Sequence, residues 1–284
     1  MDMIRIQEYH LGPAAEGGYT PFQASWKDFW DGINLYPIWS KLAWQDIRQR
    51  YRRSVIGPFW ITISTAIMVF ALGFLYAGLF HQEIHSYLPF LAIGLIVWSF
   101  VATILNEACT VFVNVENMMK QLRLPLTMHV CRMVWRNLII FAHSIVIILI
   151  LMIWGDITLS WELWFLPLAT LLYCWNALNI GLLIGIVCTR FRDIGPLVAN
   201  FVQLMFFVTP IMWNPQILTG KSGELAWIAN YNPAYHFIEI FRAPLLGRPF
   251  PPYSWFVVLT ATAILWILAL WVMTKFRHRV TYWL

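Results

Sequence analysis

The few sequence motifs that could do chemistry in this chain each lack a required residue. Gly220, Lys221 and Ser222 match the end of a phosphate-binding loop, but Pro215 stands where that loop needs its first glycine. In the segment 81–85, His-Gln-Glu-Ile-His, the glutamate does not directly follow the first histidine, as a zinc-binding helix requires. The sequence therefore indicates neither an ATP-hydrolysing site nor a metal site in this chain.

Six apolar runs explain why so little chemistry is encoded. None contains Asp, Glu, Lys or Arg, and they span residues 57–80, 87–105, 138–154, 163–189, 194–213 and 253–274. Each is a candidate membrane span, and His143 is the one ionisable residue that we single out within them. Such a pattern does not favour a proton relay or a membrane hydrolase. We predict an all-α polytopic membrane protein with six transmembrane helices.

Lysine and arginine are distributed unevenly among the segments that connect the apolar runs. From the N-terminus to the C-terminus, the seven segments outside the runs contain seven, none, four, none, two, three and three Lys and Arg residues. Alternate segments lie on the same side of the membrane, so 16 of the 19 fall on one side. Because basic loops remain in the cytoplasm, both termini are predicted to be cytoplasmic. The net charge of +5 follows from this rule and does not indicate a nucleic acid partner.

The chain divides into three parts. Residues 1–34 lack periodicity and are predicted to form a loosely ordered cytoplasmic tail. Residues 35–56 alternate apolar and basic positions at helical spacing, which predicts an N-terminal amphipathic interface helix along the inner membrane surface. Residues 57–284 form the six-span transmembrane domain. The four cysteines lie within or on the cytoplasmic side of the predicted spans, so no disulfide is expected.

A cytoplasmic segment, 115–125, lies between the second and third spans. It carries an apolar patch with a basic edge and ends at a proline; its residues are Met118, Met119, Lys120, Leu122, Arg123 and Pro125. Methionine-rich surfaces with charged edges suit docking to another protein. The alternative is that these residues merely extend two membrane helices into the cytoplasm.

A second irregular region, 209–247, follows the fifth span. Asn232 and Pro233 are typical of a helix start, and Pro244 and Gly247 of its end. The enclosed helix of about eleven residues is too short to cross roughly 30 Å of hydrocarbon. We predict a re-entrant helical hairpin between spans five and six on the outer face, in which Glu239 pairs with Arg242.

Four strings in order resemble one transporter family. Residues 46–60, DIRQRYRRSVIGPFW, are similar to the entry to the first span in ABC-2 permeases that export polysaccharides. LRLP at 122–125, FRDI at 191–194, and NP at 232 with HFIEIFRAPLLG at 236–247 resemble further elements of that family. The last string is most similar to membrane subunits that export lipid-linked O-antigen, with capsule and teichoic-acid exporters close behind. The resemblance covers about residues 35–284.

The resemblance implies a non-catalytic permease subunit in a bacterial inner membrane. Two copies of this chain would form the pore, and two copies of a separate ATPase would bind ATP and Mg, so no cofactor is expected in this chain. Segment 115–125 would be the coupling helix that docks into the ATPase. Three rivals stay open: the same fold exporting a small lipid or drug, a membrane enzyme of glycolipid assembly, and a structural scaffold.

The substrate implied by the resemblance, a lipid-linked polysaccharide, carries a diphosphate and a long glycan. Guanidinium groups pair with phosphate oxygens, and the candidates at the inner surface are Arg48, Arg50, Arg52, Arg53, Arg190 and Arg192. Topology and anionic lipid would require the same arginines. Aromatic rings that could line the translocation path are Trp60, Trp98, Trp213, Tyr231, Tyr235, Phe237 and Phe241, although such residues serve packing more often.

Overall fold

The computed structural model describes residues 19–52, 54, 57, 59–155, 157, 160–215 and 230–284, and every regular element within them is a helix. Five long apolar helices, which could each cross a membrane, make the chain a multi-pass membrane protein. Their α-helical parts are α3 (Phe59–Leu79), α4 (Ile84–Ala108), α6 (Leu126–Trp154), α7 (Leu166–Arg190) and α10 (Pro252–Phe276).

The fifth apolar run forms a shorter helix than the sequence predicts. Helix α8 spans Ile194–Val208, which is 15 residues. At 1.5 Å per residue it is about 22 Å long, against roughly 30 Å of hydrocarbon. It ends at Val208, and Thr209 is extended because Pro210 follows it. The chain therefore has five full-length candidate spans in its described part, and the sixth crossing stays a prediction.

The remaining helices are short and lie beside the long ones. They are α1 (Pro21–Asn34), α2 (Tyr36–Arg50), α5 (Glu116–Gln121), α9 (Pro233–Leu245) and α11 (Val280–Trp283), with 3₁₀ turns at Val113–Val115, Trp161–Phe165 and Arg277–Arg279. Helices α1, α2, α5 and α11 gather at the end of the bundle that holds the basic residues of α2, α6 and α10, which we call the basic end. Helix α9 packs against the first half of α4, away from the basic end.

Helix α4 is the centre of the molecule. It packs against α3, α6, α7, α8 and α9, and residues 87–98 are buried throughout. Close approach depends on small residues: a Cβ on Gly73 of α3 would lie 2.0 Å from Leu88 Cδ1, and one on Gly181 of α7 would lie 2.4 Å from Val130 Cγ1. Small residues let membrane helices pack closely, where burial from water contributes little. Helices α3 and α8, by contrast, leave most of their apolar side chains uncovered.

The sequence prediction of a loosely ordered tail to residue 34 is wrong for residues 21–34. Thr20 and Gln23 form a reciprocal capping box at the start of α1, which packs against α6 and α10. Its inward face holds Ser25, Asp28, Phe29 and Gly32 at helical spacing. Only Phe29 among them is a large apolar residue, so an apolar stripe cannot be recognised in the sequence of this helix.

Helix α2 occupies the predicted interface segment. Its buried residues are Ala43 and Ile47, and it packs against α6. Trp44 is half exposed on the other side. Contact with a membrane surface stays a prediction for this helix, and Arg53 lies outside the described residues.

The helix predicted after Asn232 is confirmed as α9. The Asn232 carboxamide oxygen accepts a hydrogen bond of 3.0 Å from the Ala234 amide, and Pro233 occupies the first turn. The helix passes through Pro244 and ends at Leu245, and Gly247 follows in the left-handed region with φ of 63°. The re-entrant path predicted for this region stays a prediction, since residues 216–229 lie outside the described residues.

Candidate functional site

A groove lies along α4, between α3 and α8. It has a volume of about 370 Å³ and is lined by Met68, Leu95, Trp98, Ser99, Ala102, Thr103, Asn106, Glu107 and Phe206. We call it the α4 groove. Apart from Met68 of α3 and Phe206 of α8, its lining comes from α4 itself. It therefore runs from the apolar middle of a membrane helix to a carboxylate near the basic end.

Polar side chains form one stripe in this groove. Ser99, Thr103 and Asn106 are four and three residues apart, so they share a face of α4. Each donates to the carbonyl four residues earlier, over 2.7 Å, 2.7 Å and 2.8 Å respectively. Their oxygens keep the capacity to accept further hydrogen bonds. A polar stripe on a membrane helix is costly against lipid tails and suits a water-filled cavity.

Aromatic rings form the wall beside this stripe. Trp98 and Phe206 lie with ring centroids 6.2 Å apart. Of the seven aromatic path candidates, Trp98 is the one that lines the α4 groove. No sequence motif singles out Ser99, Thr103, Asn106 and Glu107 as site residues. The spacing of Ser99, Thr103 and Asn106, which begins in the second run and ends just after it, is the signal that could have found the stripe.

At its basic end the groove meets a network of charged side chains. Glu107 accepts hydrogen bonds from Arg136 over 2.7 Å and from Asn137 over 2.6 Å, and Arg50 approaches its other oxygen at 3.4 Å. Asp46 accepts a two-pronged hydrogen bond from Arg132 and one of 2.9 Å from Arg136. The network joins α2, α4 and α6.

The network carries a surplus of positive charge. Arg50, Arg132 and Arg136 give three positive charges against the two carboxylates, which leaves +1. Partial burial works to raise the pKa of Asp46, but the hydrogen bonds and charges of Arg132 and Arg136 outweigh it, so its pKa lies below the ordinary value. Asp46 therefore stays ionised at neutral pH, and the network keeps a net charge of +1 because it holds three arginines and two carboxylates.

The five arginine candidates that the structure describes do not form one cluster. Arg50 contacts Glu107, a residue of the α4 groove. Arg190 lies over the rings of Phe191 and Trp283, at 5.7 Å and 5.6 Å. The other three described candidates, Arg48, Arg52 and Arg192, are exposed. Among the five described candidates for phosphate binding, Arg50 is the one that contacts a residue of the groove.

The remaining aromatic candidates lie in different environments. Trp60 and Tyr231 are exposed, and the Trp213 indole donates to the Phe207 carbonyl over 3.4 Å. Tyr235 and Phe237 are half-buried. Phe241 is buried and contacts the rings of Phe141 and Tyr173, at 5.7 Å and 4.9 Å. Phe241 therefore serves packing within this chain.

The predicted pair of Glu239 with Arg242 is wrong. Arg242 is fully buried, donates to the carbonyls of Pro210 and Ile211 over 2.9 Å and 3.3 Å, and stacks 3.9 Å from the Phe90 ring. Glu239 instead lies 3.8 Å from Arg248. A guanidinium has five donors, and here it donates to two carbonyls of the irregular backbone that follows α8.

Segment 115–125 forms its own short helix. Helix α4 ends at Ala108 and α6 begins at Leu126, so α5 between them is not an extension of either span. Leu122 and Arg123 are exposed, Lys120 pairs with Glu116, and Met118 is half-buried. Met119, however, is buried, and so is Pro125. The apolar surface that α5 offers is therefore narrower than the sequence predicts.

Comparison with known proteins places these features in one family. Residues 39–246 match the model of the ABC-2 type transporter family, a range that includes the α4 groove, its charged network, α5 and α9. The chain is 26% and 24% identical to two O-antigen export system permease proteins RfbA of Klebsiella pneumoniae, each over 86% of this chain and 94% of the relative. It is 21% identical to the RfbA permease of Myxococcus xanthus, over 78% of this chain and 85% of that protein. The chain belongs to the ABC-2 type transporter family.

Proposed function

We propose that this chain is the permease subunit of an ABC exporter that moves a lipid-linked polysaccharide, O-antigen, outward across a bacterial inner membrane. Family membership and the O-antigen export function of the relatives support this assignment. The chain would act as a homodimer with two copies of a separate ATPase, which binds ATP and Mg and does the hydrolysis. The polar α4 groove is the observation that carries the proposal.

The proposed topology has six crossings with both termini in the cytoplasm. Helix α8 with residues 209–213 would be the fifth crossing, and the basic end would face the cytoplasm by the positive-inside rule. Helix α2 would then lie along the inner membrane surface. Region 209–247 would be re-entrant from the outer side, a path that is tolerated where protein covers the backbone. Residues 210–212 meet this condition, because Arg242 and Tyr87 donate to their carbonyls.

The α4 groove would be part of the glycan path. Sugars offer hydroxyl groups that exchange hydrogen bonds with Ser99, Thr103 and Asn106, and C–H faces that stack on Trp98. The hydroxyl hydrogens of Ser99 and Thr103 and one amide hydrogen of Asn106 are already donated within α4, so contact with a passing sugar would be weak and easily exchanged. Weak contacts suit a chain that must slide.

The diphosphate would arrive at the mouth of the groove. Arg50 is the arginine we carry forward, because its partner Glu107 lines the groove and because guanidinium binds phosphate oxygens in a two-pronged geometry. Its pair with Glu107 is long, at 3.4 Å, and its side chain is half exposed. Exchange of this carboxylate for a phosphate would therefore cost little.

On the same surface, α5 would dock into the ATPase. Leu122 would supply the apolar contact together with the exposed part of Met118, and Lys120 and Arg123 would lie at the edge. Short apolar contacts with charged edges are typical of a helix that lies in a groove of its partner.

A double substitution in the α4 groove tests the function. Ser99→Ala with Thr103→Val removes both hydroxyls and nearly preserves volume. Surface glycan should fall about tenfold, because two lost hydrogen bonds of roughly 0.7 kcal/mol each correspond to that factor. The ATPase should still co-purify with the chain, since α5 is unchanged.

Thr260→Val on α10 is the matched control. Its hydroxyl also donates to the carbonyl four residues earlier, over 2.8 Å, but it lies outside the groove. Surface glycan should stay at the wild-type level in this variant. Equal glycan in both variants would remove the α4 groove from the path, and loss of an ATPase partner from the wild-type chain would refute the exporter assignment itself.

A further inference from the structure

Asp28 of α1 makes an unusual contact with a distant part of the chain. Its side chain is 2% exposed. One oxygen accepts from the backbone amide of Leu126 over 3.3 Å, and the other from the amide and the hydroxyl of Thr127 over 3.4 Å and 3.2 Å. Asp28 thus caps the start of α6 from 98 residues away in sequence.

The cap meets a need that α6 cannot meet locally. The first amides of a helix have no partner within it, and a side chain at the preceding position usually accepts from one of them. That position is Pro125, whose ring has no acceptor. A carboxylate at a helix N-terminus is also favoured by the helix dipole. Because Pro125 ends segment 115–125, Asp28 holds the joint between that segment and α6.

Arg277 ties the same carboxylate to the last long helix. Its guanidinium donates to the Ala24 carbonyl over 2.8 Å and approaches Asp28 at 3.4 Å. Burial raises the pKa of Asp28, and Arg277 with the hydrogen bonds from residues 126 and 127 opposes that rise. Nearby, Gly32 leaves no room: a Cβ there would lie 2.6 Å from Thr127 Cβ.

Helix α11 packs on the other side of the joint. Helix α5 packs against α11, which directly follows the 3₁₀ turn that begins with Arg277. Residues 116–127 are therefore bracketed by α11 on one side and by Asp28 on the other. Both α1 and residues 277–283 lie outside the range 39–246 that matches the family, so family membership assigns them nothing.

We propose that Asp28, held by Arg277, is a positioning residue that fixes the joint between segment 115–125 and α6. A displacement of α5 by a docked ATPase is then transmitted to α6, and from α6 to α4, against which it packs. Without the cap, the joint at Pro125 would bend and absorb that displacement. The role rests on the proposed function, because it assumes that α5 docks the ATPase.

Asp28→Ala tests the joint, with Asp28→Asn and Asp31→Ala as matched variants. The complex with the ATPase is reconstituted into vesicles, and the probe is the glycan lipid extracted from the producing cells. Asp28→Ala should hydrolyse ATP within about twofold of wild type but export about fivefold less glycan per ATP, the factor that a lost helix cap implies. Asp28→Asn keeps an acceptor and should recover most of that ratio, and Asp31→Ala, a change on the outer side of α1, should not alter it.

A second measurement, which needs no substrate, tests whether Asp28 caps the start of α6. Amide hydrogen exchange at residues 126 and 127 should be faster in Asp28→Ala than in Asp31→Ala. An unchanged ratio of exported glycan to hydrolysed ATP in Asp28→Ala, including a proportional fall of both, would overturn the positioning role. If the wild-type chain bound no ATPase, the proposed function would fall instead, and equal exchange in the two variants would then overturn the joint itself.

Discussion

Two short helices interrupt the order of long spans, and they are held very differently. Helix α9 is enclosed by α4, α7 and α10, and residues 238–245 are buried throughout. Helix α5 has six residues, of which Met119 is buried. Helix α9 is the more apolar of the two, and the contacts that each helix makes add to this difference.

The polar groups explain why α9 belongs to the scaffold. The Tyr173 hydroxyl donates to the Phe237 carbonyl over 2.5 Å, and His236 lies 3.0 Å from Ser254 Oγ and 2.8 Å from the Asn230 carbonyl. Such a network fixes one arrangement, because breaking it would leave buried polar groups without partners. Helix α5 carries an exposed Lys120–Glu116 pair, which is worth little. Because α5 lacks such a network within the part of the chain that the structure describes, its exposed surface can bind a partner.

The largest effect should come from Phe241→Ala in α9. Phe241 fills space between Phe141 and Tyr173, and deleting a buried phenylalanine leaves a cavity that costs about 3 kcal/mol. The melting temperature of the detergent-purified chain should fall clearly. Tyr235→Ala, at a half-buried position on the same helix, should lower it less. An equal, small loss in both would show that α9 is as loosely held as α5.

Arg242→Met should cost somewhat less. The variant keeps most of the side-chain volume but leaves the carbonyls of Pro210 and Ile211 without their donor, at a net cost of about 2 kcal/mol once the relief of a buried charge is counted. Arg248→Met is the control, because Arg248 is a partly exposed arginine in the same region, 3.8 Å from Glu239. Matching melting temperatures for the two variants would mean that Arg242 does not hold residues 210–211.

The same contrast explains how far the sequence predicts the molecule. Apolar runs and helix-start signals predict the five long helices and the start of α9, since these depend on local pattern. The capping contact of Asp28 and the carbonyl contacts of Arg242 join residues far apart in sequence. A buried aspartate or arginine looks like a surface residue until its distant partner is known. The polar stripe of the α4 groove lies between these cases, because its spacing is local while its exposure depends on α3 and α8.

The smallest effect on stability should come from Leu122→Asp, directly after α5. The same substitution should have the largest effect on assembly with the ATPase. Leu122 is 55% exposed, so the free energy of unfolding should change by less than about 0.5 kcal/mol. The ATPase should nevertheless be lost in a detergent pull-down, because a carboxylate would replace the apolar contact at the docking surface. Gln121→Asp adds the same charge at the adjacent exposed position without removing an apolar side chain, and it should retain the ATPase. Met119→Asp is unsuitable for this purpose, because Met119 is buried and its loss would disturb the fold. Retention of the ATPase by Leu122→Asp would show that α5 is only lightly held and is not the docking helix.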